Sequence, residues 1–126
     1  MNQQTGKSLN KPTSNIKSLN DSYEYAFFNT GHELHKIFFL DIFYLQGDHS
    51  QVCITTPLHK TMLKTNLEEI ESIIPPSIFQ RVHKNYIVNI NHITKLNYDS
   101  IYIDKLELPI SKLYKNILIA RLNVFK

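Results

Sequence analysis

Between Tyr23 and Ile110 the apolar residues come in short aromatic and β-branched runs, each closed by a polar or proline turn signal, which confines the chain to many short strands. Tyr23 to Asn29 and Glu33 to Leu45 read as strands parted by Thr30-Gly31. From Ile37 to Leu45 only Asp41 interrupts the apolar run, so the segment is either buried on both faces or bends at Asp41 into two strands. Gln46 to Ser50 is a polar turn. Gln51 to Thr56 alternates Val52 and Ile54 with Cys53 and Thr55, Pro57 ends it, and Lys60 to Lys64 closes a hairpin.

Thr65-Asn66-Leu67-Glu68 fits a capping box opening a helix, with Leu67, Ile70, Ile73 and Ile74 on its buried face and Pro75-Pro76 as its stop. Its outer face, with Glu68, Glu69 and Glu71, should point away from any polyanion. Phe79 to Asn89 interleaves basic and hydrogen-bonding side chains with core residues and has no clean period. Ile93 to Tyr98, Ile101 to Ile103 and Leu106 to Ile110 read as three strands, with tight turns at Asp99-Ser100 and Asp104-Lys105. Ser111 is a suitable cap for a final helix, Lys112 to Leu122, expected to bury Leu113, Ile117 and Leu118, with Leu122 at its margin. The pattern predicts a mainly β fold with short helices, and no internal repeat is present.

The 126 residues, 42% hydrophobic, suffice for one domain. Residues 1–20 are too polar to offset the cost of ordering them, which assigns residues 1–21 to a linker or tail and 22–126 to the folded unit. Cys53 is the sole cysteine, so no intramolecular disulfide can form, and no apolar run approaches the roughly 20 residues of a membrane helix. A cytoplasmic protein without membrane contact is expected. The net charge is +3, unevenly spread: residues 21–76 hold three Lys against eight acids, whereas residues 77–126 hold six Lys and two Arg against three, a net +5. A polyanion would be steered to the second half.

Enzymatic and metal-binding classes find little support. His32-Glu33-Leu34-His35 has its histidines at i and i+3 in strand-like sequence, whereas the zinc-protease motif needs i and i+4 on a helix. His49, His59 and His92 sit in polar turn regions, and Cys53 reads as a small core residue. There is no nucleophile-elbow motif and no phosphate-cradling glycine loop. No cofactor, metal or catalytic residue is expected.

Lys112 and Lys115 fall in the first turn of the final helix, where the dipole disfavours cations by about 0.3 to 1 kcal/mol each. A phosphate against the free amides near Ser111 would convert that penalty into a binding site. Arg81-Val82-His83-Lys84-Asn85-Tyr86-Ile87-Val88-Asn89, followed by Leu108-Pro109-Ile110-Ser111-Lys112-Leu113-Tyr114-Lys115, resembles the LytTR family, the DNA-binding output domains of LytR/AlgR-type bacterial response regulators. The resemblance runs roughly from Phe27 to Leu122. It takes in Gly31 to Ile37, Asp41-Ile42-Phe43-Tyr44, the helix ending at Pro75, and Phe79.

The resemblance implies an elongated fold of small antiparallel β-sheets flanked by short helices, in which loops enter successive major grooves of double-stranded DNA. One base-reading group would come from the Asp48 to Gln51 loop, with His49, Ser50 and Gln51 as candidates. Lys84 would supply another and Lys112 a third. Asn85, Ser111 and Lys115 would contact the backbone, Arg81 belongs to the same DNA-binding set, and His83 would bond a phosphate or brace its loop. The implied partners are direct-repeat DNA, a second copy of the domain on it, and, in a longer protein, an upstream receiver domain and sensor kinase. The mild net charge and Asp48 favour a rival reading, a protein-interaction module of the same fold without DNA binding.

Overall fold

The computed structural model describes residues 24–125, so the expected tail at residues 1–21 and the expected start of the domain lie outside the described residues. Two strands open the fold, β1 (Tyr25–Asn29) and β2 (Leu34–Phe38), paired antiparallel as a hairpin. Its turn depends on Gly31 at φ +97°, a conformation that glycine alone adopts readily, and on the Asn29 carboxamide accepting the Gly31 N–H at 2.8 Å.

At Asp41 the chain bends, as the interrupted apolar run allows. A 3-10 turn, Phe39–Asp41, separates β2 from β3 (Tyr44–Gly47). Next come β4 (Val52–Thr55), β5 (Lys60–Leu63) and helix α1 (Leu67–Glu71). The cap of α1 differs by one residue from the sequence expectation. Asn66 takes the position and its side chain accepts from the Glu69 N–H at 2.9 Å, while the Thr65 hydroxyl donates to the Glu69 carboxylate. Glu68 therefore does not close a capping box. Ile73 also departs from expectation: the α-helix ends at Glu71, so Ile74 turns into the core and Ile73 stays 59% exposed.

The stretch without a clean period folds as a hairpin, β6 (Phe79–His83) and β7 (Tyr86–Asn89). Arg81 faces Ile87 but His83 faces Tyr86, so Val82 is an extra residue in a bulge, which broke the alternation a strand normally shows. The last strands are β8 (Lys95–Leu96), β9 (Ser100–Ile103) and β10 (Leu106–Pro109), followed by helix α2 (Lys112–Ile119). Asp104 at φ 57° makes the β9–β10 turn where expected. The β8–β9 turn is tied by the Asn97 side chain, which accepts from the N–H groups of Asp99 and Ser100.

Three antiparallel sheets result: β1–β2, the five-stranded β5–β4–β3–β7–β6, and β10–β9–β8. The five-stranded sheet is covered on both faces. Leu45, Val52, Ile54 and Ile87 pack with Phe28 and Ile37 of the first hairpin and with Leu67 and Ile70 of α1. Tyr44, Val82 and Val88 pack on the other face with Ile101, Ile103 and Leu108 and with Leu118 of α2. Neighbouring residues such as Tyr44 and Leu45 enter different cores, as the two-residue strand period requires. Helix α2 covers the second core less than its pattern suggested, with Leu118 fully buried but Leu113 70% and Ile117 46% exposed. Only one flank of the helix meets the sheet, so apolar spacing overstated its buried stripe. It ends at Ile119, and Leu122 packs on the core from the turn that follows.

Candidate nucleic-acid interface

Backbone bonds gather three segments at one end of the five-stranded sheet. The Gly47 N–H donates to the Asn85 carbonyl at 2.9 Å, joining the β3–β4 loop to the β6–β7 turn. The Ser111 N–H donates to the Val82 carbonyl at 2.9 Å, docking the start of α2 beside the same turn. The bulge makes the second bond available, because Val82 has no ladder partner in β7 and its carbonyl is free to accept. Gly47 permits the first: a Cβ there would lie 2.8 Å from Leu67 Cγ and 2.9 Å from Val52 Cγ2.

In the β3–β4 loop the carboxylate of Asp48 turns inward, accepting the Ser50 N–H at 2.7 Å, the Gln51 N–H at 2.9 Å and the Ser50 hydroxyl at 3.0 Å. The Ser50 and Gln51 amides lower its pKa below the ordinary aspartate range, with smaller contributions from the Ser50 hydroxyl and the adjacent His49. The charge is spent on ordering the loop, and His49, Ser50 and Gln51 are all exposed.

The β6–β7 turn is held by its own motif. Arg81 donates from Nε to the His83 carbonyl at 2.8 Å and from Nη2 to the Lys84 carbonyl, while Nη1 reaches the Glu71 carboxylate at 2.8 Å and Nη2 that of Glu68 at 3.4 Å. Its side chain is only 12% exposed. The acidic face of α1 therefore grips a cation as well as facing solvent. His83 Nδ1 accepts the Asn85 N–H at 3.1 Å, and its ring packs edge-on against Tyr86. Lys84, at the tip, is exposed and has no partner for its ammonium among the described residues.

At the start of α2, Ser111 has the extended backbone of a cap residue, but its side chain makes no capping bond. The hydroxyl is buried without a partner, so Ser111 contributes its N–H and not the expected side-chain cap. The amides opening the helix have no acceptor within it. Lys112 is exposed and unpaired among the described residues. Lys115 is already engaged: its ammonium donates to the Tyr98 carbonyl at 2.8 Å and lies 4.9 Å from the Tyr98 ring centroid.

Sequence reasoning missed Tyr98, which is 84% exposed and turns the β8–β9 turn toward Lys115. It also missed Arg121, which ties the chain after α2 to the Phe79 and Pro76 carbonyls at 3.0 and 2.6 Å. Neither lies in a motif, and only the fold brings their partners near. Among the described residues no three His, Cys, Asp or Glu converge as a metal site, and no helix is long and apolar enough to cross a membrane.

The family model for the LytTr DNA-binding domain matches residues 32–123. A LytTr DNA-binding domain from Bacillus cereus, described as that of a methyl-accepting/DNA response regulator, has a similar solved structure: 22% identity, TM-score 0.67, and coverage of 79% of this chain and 97% of that one. A search of curated proteins finds no significant match. The match to the family model spans most of the sequence and both segments at the gathered end of the sheet that carry the motif, so the chain belongs to the LytTr family of DNA-binding domains.

Proposed function

We propose that this end of the sheet binds double-stranded DNA sequence-specifically, as the output domain of a cytoplasmic bacterial transcription regulator of the response-regulator type. The observation that carries the reading is the division of labour among cations: Arg81 is paired with Glu68 and Glu71 of α1 and bonded to the His83 and Lys84 carbonyls, whereas Lys84 and Lys112 project without partners among the described residues from segments bonded to each other through Val82 and Ser111. Lys84 and Lys112 then read base edges as point donors, with His49, Ser50 or Gln51 reading from the β3–β4 loop. Asn85, Lys115 and the open amides of α2 hold phosphates. Arg81, His83 and Ser111 act mainly by fixing the segments that carry those groups.

Two loop regions entering successive major grooves make a small interface in which backbone contacts supply most of the affinity. One domain alone therefore binds weakly. Two copies on direct repeats bind firmly, and an upstream receiver domain phosphorylated by a sensor kinase promotes that pairing. The test is selection from a random double-stranded DNA pool by the purified domain at near-physiological salt, with sequencing of the bound fraction. Paired direct repeats are expected. Binding that enriches no motif and vanishes as salt rises would contradict sequence readout and favour the protein-interaction reading.

A further inference from the structure

A second site lies between two sheet edges, away from the segments that carry Lys84 and Lys112. Among the described residues strand β2 pairs only with β1, and β5 closes one side of the five-stranded sheet. The bonds Thr30 N–H to Glu33 and Phe39 N–H to Glu24 set the phase of the first ladder, so the backbone groups of Lys36 and Phe38 turn away from β1. The bond from Thr56 N–H to the His59 carbonyl does the same for the other ladder, and turns those of Lys60 and Met62 away from β4. Between β2 and the β4–β5 hairpin is a cavity of about 460 Å³. Phe38 and the 84% exposed Leu58 supply apolar walls, and the lining carries Lys36, whose ammonium lies over the Tyr25 and Phe38 rings, His59 and Lys60 against a single acid, Asp41. The β4–β5 turn is at the opposite end of β4 from the β3–β4 loop, so DNA bound at that loop leaves the groove open.

We propose that this groove between the open edges of β2 and β5 takes an extended segment of another protein, one that alternates aliphatic with acidic side chains. Unpaired edge amides and carbonyls offer main-chain bonds, which is how a strand is added to a sheet, and side-chain pockets select the sequence. The excess of Lys over Asp selects acidic residues. The same charge argues against residues 1–20 as the occupant, because they carry three Lys and no acid.

The test is a phage-displayed library of random peptides panned against the full 126-residue chain. Enrichment of peptides alternating aliphatic and acidic residues is expected. The best of them, added to isotope-labelled protein, should shift the amides of Lys36, Phe38, Lys60 and Met62. Lys60→Glu should weaken it about tenfold, a peptide with Lys in place of its acids should recover binding to that variant, and affinity for duplex DNA should be unchanged. Absence of enrichment, enriched peptides without acids, or shifts at other amides would overturn the proposal. So would the same amides responding to duplex DNA or to self-association, since the groove would then serve nucleic acid or a second copy.

Discussion

The β6–β7 turn and the first turn of α2 lie side by side but are ordered by opposite means. In the first, side chains of the motif hold the backbone: Arg81 bonds the His83 and Lys84 carbonyls and His83 bonds the Asn85 amide. In the second, backbone bonds from Ile110 to Asp99 and from Ser111 to the bulged Val82 set the position, while the Ser111 hydroxyl bonds nothing. The difference teaches that conspicuous motif residues can be scaffold. The plainer Lys84 and Lys112 beside them are exposed and, among the described residues, unpaired.

The largest expected effect comes from removing the brace. Arg81→Ala leaves the His83 and Lys84 carbonyls and the Glu71 carboxylate without their donor, and should cost about 2–4 kcal/mol of folding stability in urea titrations. Arg81→Lys should not restore it, because an ammonium cannot span two carbonyls and a carboxylate as a guanidinium does. A loss as small as that of an exposed lysine would remove the contrast between the two turns. Gly47→Ala drives a Cβ into Leu67 and Val52, and should cost about 1–3 kcal/mol, read the same way.

On binding, Lys112→Ala should cost about 1–3 kcal/mol and relax preference at one base pair, whereas Lys115→Ala should weaken all duplexes alike and lower the salt slope by about one. Equal behaviour of the two variants in a sequence-by-salt titration would erase the assigned roles. The expected effect of Ser111→Ala is small, within about 0.5 kcal/mol rather than the roughly 1 kcal/mol of a working cap. A full capping loss would show that the hydroxyl finds a partner in solution.

Asp48 gives the mildest test, through pH. Its folded pKa is depressed by the Ser50 and Gln51 amides, so its ordering contribution is complete above the ordinary aspartate value of 3.8 and is lost as pH falls through the lower, folded value. The Ser50 and Gln51 amide resonances should therefore follow a titration whose midpoint lies below 3.8. A midpoint at or above 3.8 would mean that the carboxylate is not held by the loop.

Much of the strand order could be read from the chain because its punctuation is local: Asp41 breaks an apolar run, Pro57 ends a strand, and Gly31 and Asp104 occupy turns. What could not be read depended on partners distant in sequence. The bulge at Val82 hid the β6–β7 hairpin, because the extra residue breaks alternation and its carbonyl is satisfied by Ser111, far along the chain. Thr65 and Asn66 are both good caps, and only the backbone decides that Asn66 takes the role. Apolar spacing in α2 marked a face without revealing that Leu113 and Ile117 lie beyond the sheet that covers Leu118. At the candidate site the motif residues were visible, but Arg81 looked like one more cation until Glu68 and Glu71 were placed against it.

The central claim is that the β3–β4 loop, the β6–β7 turn and the start of α2 form one DNA-binding surface. The most direct measurement is a titration of isotope-labelled protein with the DNA duplex recovered by selection, following backbone amides and lysine ammonium groups. Shifts appearing together at His49 to Gln51, Lys84-Asn85 and Lys112 to Lys115, with the Arg81 guanidinium unchanged, are the predicted result. Saturable binding that moves the α2 start alone, or that displaces Arg81 from Glu71, would contradict it.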